Sequence, residues 1–165
     1  MRKCARFAAI FLSGLCVAGN LFAADLRPVK EPAKIAAVFP RAAQLRLVNV
    51  WALWCAPCVA EMPDLRAIDE TFGAEVAMAG ISLDDMLPDA SPKPVASFLD
   101  KHKIAFPNVY YTGNPDALGD YLKFDGEIPI TIVYDGAGKE LWRHQGRINR
   151  DQTIAQLRSL LRRKR

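Results

Sequence analysis

At 165 residues, with 51% apolar and 24% charged residues, the chain has the length and composition of one globular domain with a real core. Its formal net charge of +4 is unevenly placed: residues 1–24 hold three of the 22 basic residues and no acidic ones, leaving 19 basic against 18 acidic and a net charge of +1. That near-balance removes the basic footprint of a nucleic-acid-binding domain, and the two cysteines beyond residue 24, Cys55 and Cys58, are too few for a disulfide-stapled scaffold.

The elements follow in chain order. Arg2, Lys3 and Arg6 precede an apolar run from Phe7 to Ala18, and the small residues Ala23 and Ala24 follow before Asp25. This three-part layout is that of a secretory signal peptide. The run is short for a membrane span, which needs about 20 apolar residues. Residues 1–24 are therefore expected to be a signal peptide, with an uncleaved N-terminal anchor as the alternative, and residues 25–165 a single folded domain. Residues 25–34, with Pro28, Pro32 and several charges, read as an extended lead-in, and Ile35–Phe39 as a short helix or edge segment. Leu45–Trp51 is a buried strand. A helix from Pro57 to about Phe72 places Val59, Met62, Leu65, Ile68 and Phe72 at helical spacing, with a kink expected at Pro63 and an end at Gly73.

Glu75–Leu83 reads as a second strand, 84–94 as a proline- and aspartate-rich loop, and Val95–His102 as a helix. Phe106–Tyr111 is a third strand, Asp116–Phe124 a short helix, and Ile130–Tyr134 a fourth strand rich in branched and aromatic residues. A turn at Asp135-Gly-Ala-Gly138 leads into a hairpin partner, Lys139–Gln145. A closing helix over Asp151–Leu161 takes its cap from Asn149 or Asp151. Strands alternating with helices predict an α/β fold: a central mixed sheet flanked by helices on both faces, with the hairpin as antiparallel edge strands.

The informative stretch is Trp54-Cys55-Ala56-Pro57-Cys58 at the end of the first buried strand. The two-residue spacer puts both thiols within one helical turn, in reach of a disulfide. Cys55 falls at a helix N-terminus, where unpaired N–H groups and the helix dipole favour a thiolate, the reactive form. This is a layout for dithiol–disulfide exchange. Inert structural thiols are the bland alternative. A zinc site needs about four ligands, and His102 and His144 are isolated in the sequence.

The run Val48–Cys58, followed by Glu61-Met62-Pro63, resembles the active site of the thioredoxin superfamily, and most closely its exported TlpA/ResA-like thiol–disulfide oxidoreductases. Gly126-Glu-Ile-Pro-Ile-Thr131, about 70 residues on, resembles that family's cis-proline loop, and the likeness covers roughly residues 30–165. The resemblance implies a thioredoxin fold. Cys55 would attack and Cys58 resolve the mixed disulfide. Pro129 would be cis and face Cys55, exposing the backbone of Ile128 to a substrate strand. Glu61, three residues after Cys58, would tune the protonation of the thiols as a proton acceptor, with a solvated helix glutamate as the alternative. Asn49 stands where classical thioredoxin carries a buried aspartate and cannot titrate.

Trp51 and Trp54 are expected to pack around the site, with Trp54, Ala56 and Pro57 touching substrate; Trp142 is expected in the core, and Arg162–Arg165 as a solvated tail. The Ala-Pro spacer resembles that of reductases. The reading is thus an exported, periplasmic, monomeric protein-disulfide reductase needing no organic cofactor or metal. Substrate protein disulfides of the cytochrome c maturation or copper-site assembly type, and a membrane electron-transfer protein as reductant, are its implied partners. A disulfide-forming oxidant or isomerase and a Cu(I) metallochaperone are the alternatives.

Overall fold

The computed structural model describes residues 23–39 and 43–163. The expected signal segment lies outside the described residues except for Ala23 and Ala24, as do Lys164 and Arg165 of the C-terminal tail. Six strands form one sheet: β1 (Leu26–Val29), β2 (Leu45–Trp51), β3 (Val76–Ser82), β4 (Asn108–Tyr111), β5 (Ile130–Asp135) and β6 (Glu140–Gln145), in the spatial order β1-β4-β3-β2-β5-β6. The pairs β1–β4, β4–β3 and β3–β2 are parallel, and β2–β5 and β5–β6 antiparallel. Among the described residues there are four α-helices: α1 (Ala56–Phe72), α2 (Pro92–His102), α3 (Pro115–Leu122) and α4 (Arg150–Arg162).

Strand β2 is central, and its side chains alternate between two buried faces. Asn49 and Trp51 point to the face covered by α1 and α2, where Asn49 bonds Glu61 and the Trp51 ring lies 5.6 Å from that of Phe98. Helix α4 packs against α1 on this side. Arg46 and Val48 point to the opposite face, towards Tyr121 and Leu122 of α3 and the 3-10 turn Pro32–Val38. Helices thus cover both faces, so β2 and β3 are apolar and buried almost throughout. Among the described residues no helix is long and apolar enough to cross a membrane.

Three expectations are corrected. The lead-in 25–34 contains a strand, β1, whose Leu26 pairs with Asn108 and Val29 with Tyr111; Pro28 and the charges hide it, since proline is tolerated only on a sheet edge. The hairpin is not wholly at the edge: β5 lies between β2 and β6, because its apolar residues Ile130, Ile132 and Val133 demand burial on both sides. The 84–94 segment opens with a 3-10 turn, Asp84–Met86, and ends in the first turn of α2. Helix α1 runs through Pro63 and ends at Gly73, whose φ of 49° lies where a side chain is disfavoured.

Candidate active site

Strand β2 ends at Trp51, and the chain turns through Ala52–Trp54 into α1. Cys55 is the N-cap residue: its Sγ accepts from the Cys58 N–H at 3.3 Å, the place usually filled by a serine or aspartate oxygen. A thiolate there would meet that N–H and the positive end of the helix dipole. Cys55 and Cys58 are joined in a disulfide, with Cα atoms 5.2 Å apart. Cys58 is wholly buried, whereas Cys55 keeps 7% of its surface in contact with solvent and is the member an incoming group can reach.

The Ile128–Pro129 bond is cis, as the resemblance implied. Register accounts for its position. Strand β5 runs antiparallel to β2 with Ile130 opposite Val50, so the residues before β5 meet the residues after β2. The carbonyl oxygen of Ile128 accordingly lies 3.6 Å from Cys55 Sγ. Gly146 N donates to the Pro129 carbonyl at 2.8 Å, and Gln145 Nε2 donates to the carbonyls of Glu127 (2.8 Å) and Pro129 (3.3 Å), tying the loop to β6. Trp54, Cys55, Ala56, Pro57 and Ile128 share one open groove with Gly126, Gln145 and Gly146.

Beneath the disulfide lies a carboxylate. Glu61 follows Cys58 by one turn of α1 and is 0% exposed, which excludes the solvated alternative. Its Oε1 accepts from Asn49 Nδ2 at 2.8 Å and its Oε2 from Ile148 N at 2.9 Å. Burial pushes its carboxyl above the ordinary range, against the opposing pull of these two hydrogen bonds. Asn49 also donates to Thr131 Oγ1 at 3.2 Å, across the β2–β5 pair, while its Oδ1 has no hydrogen-bond partner among the described residues.

No family model matches the chain. The thiol:disulfide interchange protein HelX of Rhodobacter capsulatus is 30% identical over 142 residues, which cover 84% of this chain and 73% of HelX. The chain belongs to the TlpA/ResA-like thiol–disulfide oxidoreductases. The DsbE homologue of Paracoccus denitrificans, also a thiol:disulfide interchange protein, is 32% identical over 65% of this chain and 54% of its own length. The crystal structure of a DsbF homologue from Corynebacterium diphtheriae superposes with a TM-score of 0.60 at 25% identity, covering 70% of this chain and 71% of that one. The protein is an enzyme of thiol–disulfide exchange on the thioredoxin fold, and Cys55–Cys58 is its redox pair.

In this oxidoreductase two more polar groups shape the site, and neither was singled out from the sequence. Asp84, 7% exposed, accepts from Leu53 N at 3.0 and 3.2 Å and from Ser82 Oγ at 2.7 Å, so the end of β3 holds the turn that delivers Cys55. Burial raises its carboxyl too. Gln145 is the second, holding the cis-proline loop. A run of apolar residues ending in Gly-Ile-Ser-Leu-Asp marks Asp84 only as a strand terminus, and β6 is too exposed to mark Gln145. Asn49, the residue that cannot titrate, is here the partner of the group that can.

The tryptophans divide. Trp54 stands 48% exposed beside Cys55, while Trp51 is fully buried, its Nε1 donating to Asn108 Oδ1 at 3.1 Å. Trp51 is thus a core residue and not a wall of the site, because the alternation of β2 turns it towards α2. Trp142 is only half-buried and stacks on His144. Among the described residues no group of three or more histidine, cysteine, aspartate or glutamate side chains could hold a metal.

Proposed function

We propose that the enzyme works as an exported protein-disulfide reductase. The Cys55 thiolate attacks one sulfur of a substrate disulfide, forming a mixed disulfide and releasing a substrate thiolate. Cys58, deprotonated with Glu61 as acceptor, attacks Cys55 Sγ and releases the second substrate thiolate. Two electrons pass to the substrate, and the Cys55–Cys58 disulfide is left. Ile128 would receive the substrate chain by strand addition: outside the Cys55 contact its backbone groups have no hydrogen-bond partner among the described residues. Trp54, Ala56 and Pro57 line the groove such a chain would occupy.

The observation that carries the direction is the composition of the helix tip. The Ala56-Pro57 spacer brings no imidazole or cation to Cys55, whose stabilisation comes from the Cys58 N–H and the helix dipole. A thiolate stabilised no further leaves the dithiol a good electron donor, with a potential nearer about −270 mV than the roughly −120 mV of a strong oxidant. The layout of residues 1–24 supports export to the periplasm. In an oxidising compartment a membrane electron-transfer protein would regenerate the dithiol. By family resemblance, the substrates are the haem-binding cysteines of apocytochrome c or the copper-site cysteines of an oxidase.

The test is the potential of the Cys55–Cys58 couple against glutathione and thioredoxin standards. A value at or below about −220 mV is expected; a value near −120 mV would make the protein a source of disulfides and remove both substrate assignments together.

A further inference from the structure

Arg46 lies near the start of β2, and the extended strand carries it about 16 Å from Trp51, away from the disulfide. Its Nε is buried and has no hydrogen-bond partner among the described residues. Its guanidinium makes no ion pair among them either. A buried charged donor without an acceptor is costly, so Arg46 points to an acceptor from outside the fold.

Arg46 lines a cavity of about 460 Å³ on the α3 side of the sheet. Ile35, Phe39, Val48 and Leu122 give the cavity apolar walls, and all four are buried. Lys123, at the end of α3, and Lys139, in the turn between β5 and β6, are exposed at its mouth. Neither lysine makes an ion pair among the described residues. The carboxylate of Glu140 also reaches this cavity, but Arg143 holds it with contacts of 2.7 and 2.8 Å. Burial, with Glu140 nearby, pushes the Tyr134 phenol up to about 12, so it remains an O–H donor at neutral pH.

Cations around an apolar cavity select a ligand by two features. An anionic head meets Arg46, whose planar fork matches a carboxylate. An apolar body gains by leaving water for the walls. Inorganic phosphate lacks the body, and its higher charge costs more to desolvate against those walls. A neutral apolar molecule leaves Arg46 unmatched. The volume is that of a small-molecule site.

We propose that this cavity binds a small amphipathic carboxylate, with its head on Arg46 and its apolar body against Val48 and Leu122. The site shares no lining residue with the groove at Cys55, and it does not depend on the direction of disulfide exchange.

The test titrates the purified full chain at low salt, by calorimetry, with octanoate, octanol and inorganic phosphate. Octanoate is expected to occupy one site per chain about tenfold more tightly than octanol, the gain of a charge-assisted pair, and phosphate to bind more weakly than octanoate. R46Q is expected to bring octanoate down to the affinity of octanol and to leave octanol unchanged. Reduction of hydroxyethyl disulfide at the wild-type rate shows that this variant is folded. Should R46Q not fold, K123Q/K139Q, altered only at exposed positions, carries the test: octanoate weakens a few-fold and octanol does not. The site is overturned by octanoate that does not saturate, by equal affinity for octanoate and octanol, or by octanoate binding unchanged in the variants. Phosphate bound as tightly as octanoate overturns it too, since the apolar walls would then contribute nothing.

Discussion

Replacing Glu61 by glutamine keeps the outline of the side chain and removes its charge, which isolates the electrostatic effect on Cys58. The two residues are three apart on α1, which sets their Cβ atoms roughly 5–6 Å from each other on one face of the helix. Both side chains are fully buried, so water screens them little. Two negative charges at that separation repel by about 3 kcal/mol with an effective dielectric constant of about 20, equivalent to about two pKa units. An ionised Glu61 thus opposes a second negative charge on Cys58, which gives up its proton most easily when the carboxyl takes it.

The substitution is tolerable: Asn49 Oδ1 lacks a hydrogen-bond partner among the described residues, so a rotated Asn49 amide can accept from the new glutamine N–H. The clean assay titrates a single thiol by the ultraviolet absorbance of its thiolate, comparing C55S with C55S/E61Q, because two interacting cysteines would report values belonging to the pair. Cys58 is expected to titrate about two units lower in the glutamine variant. A shift of less than about half a unit would refute the argument, and Glu61 would then be a structural carboxylate only.

Two further outcomes follow from the buried acids. Burial holds Glu61 above its ordinary value of 4.5. The fold therefore binds more protons than the unfolded chain over that interval: the contribution is fully present below 4.5 and is lost as pH rises through the folded value. Glu140, held low by Arg143, pulls the other way, so the readout is a difference: the melting temperature of the oxidised wild type should decline more steeply from pH 4.5 towards neutrality than that of E61Q, and equal slopes would acquit Glu61. Asp84→Ala strands the Leu53 N–H and the Ser82 O–H. An unpaired buried donor costs about 1–3 kcal/mol, and at this size each kcal/mol moves the melting temperature by roughly 2–4 °C. Both the melting temperature and the rate of disulfide exchange should drop, with D84N recovering part of each; a D84A protein melting as wild type would show that Leu53 finds another acceptor.

The redox pair and the elements that carry it were legible because their signals are local. Leu45–Trp51 is apolar in an unbroken run, the helix after it repeats its apolar residues at helical spacing, and both cysteines fall at the junction. What stayed hidden depends on partners distant in the chain. Strand β1 pairs with β4, 82 residues on from Leu26 to Asn108, and no local period announces that. The burial of Glu61 was undecidable from α1 alone, since half of its cage is Asn49 on β2 and the other half is the Ile148 N–H just before α4. Asp84 sits among aspartates and prolines that read as solvent-facing loop, yet the turn of Leu53 folds over it.

Pro28, which concealed β1, has a consequence of its own. Among the described residues the outer side of β1 is a free edge of the sheet, where a bare strand would offer a ladder to another polypeptide. Pro28 has no N–H to contribute, and Arg27 beside it is exposed and charged. The opposite edge, β6, carries Glu140 and Arg143, and Arg143 also clamps the carbonyls of Leu122 and Lys123 at the end of α3. Both margins are thus poor templates for edge-to-edge strand pairing. P28V, which restores the missing donor at the β1 edge, is expected to make the protein aggregate more readily than the wild type, as light scattering on heating would show.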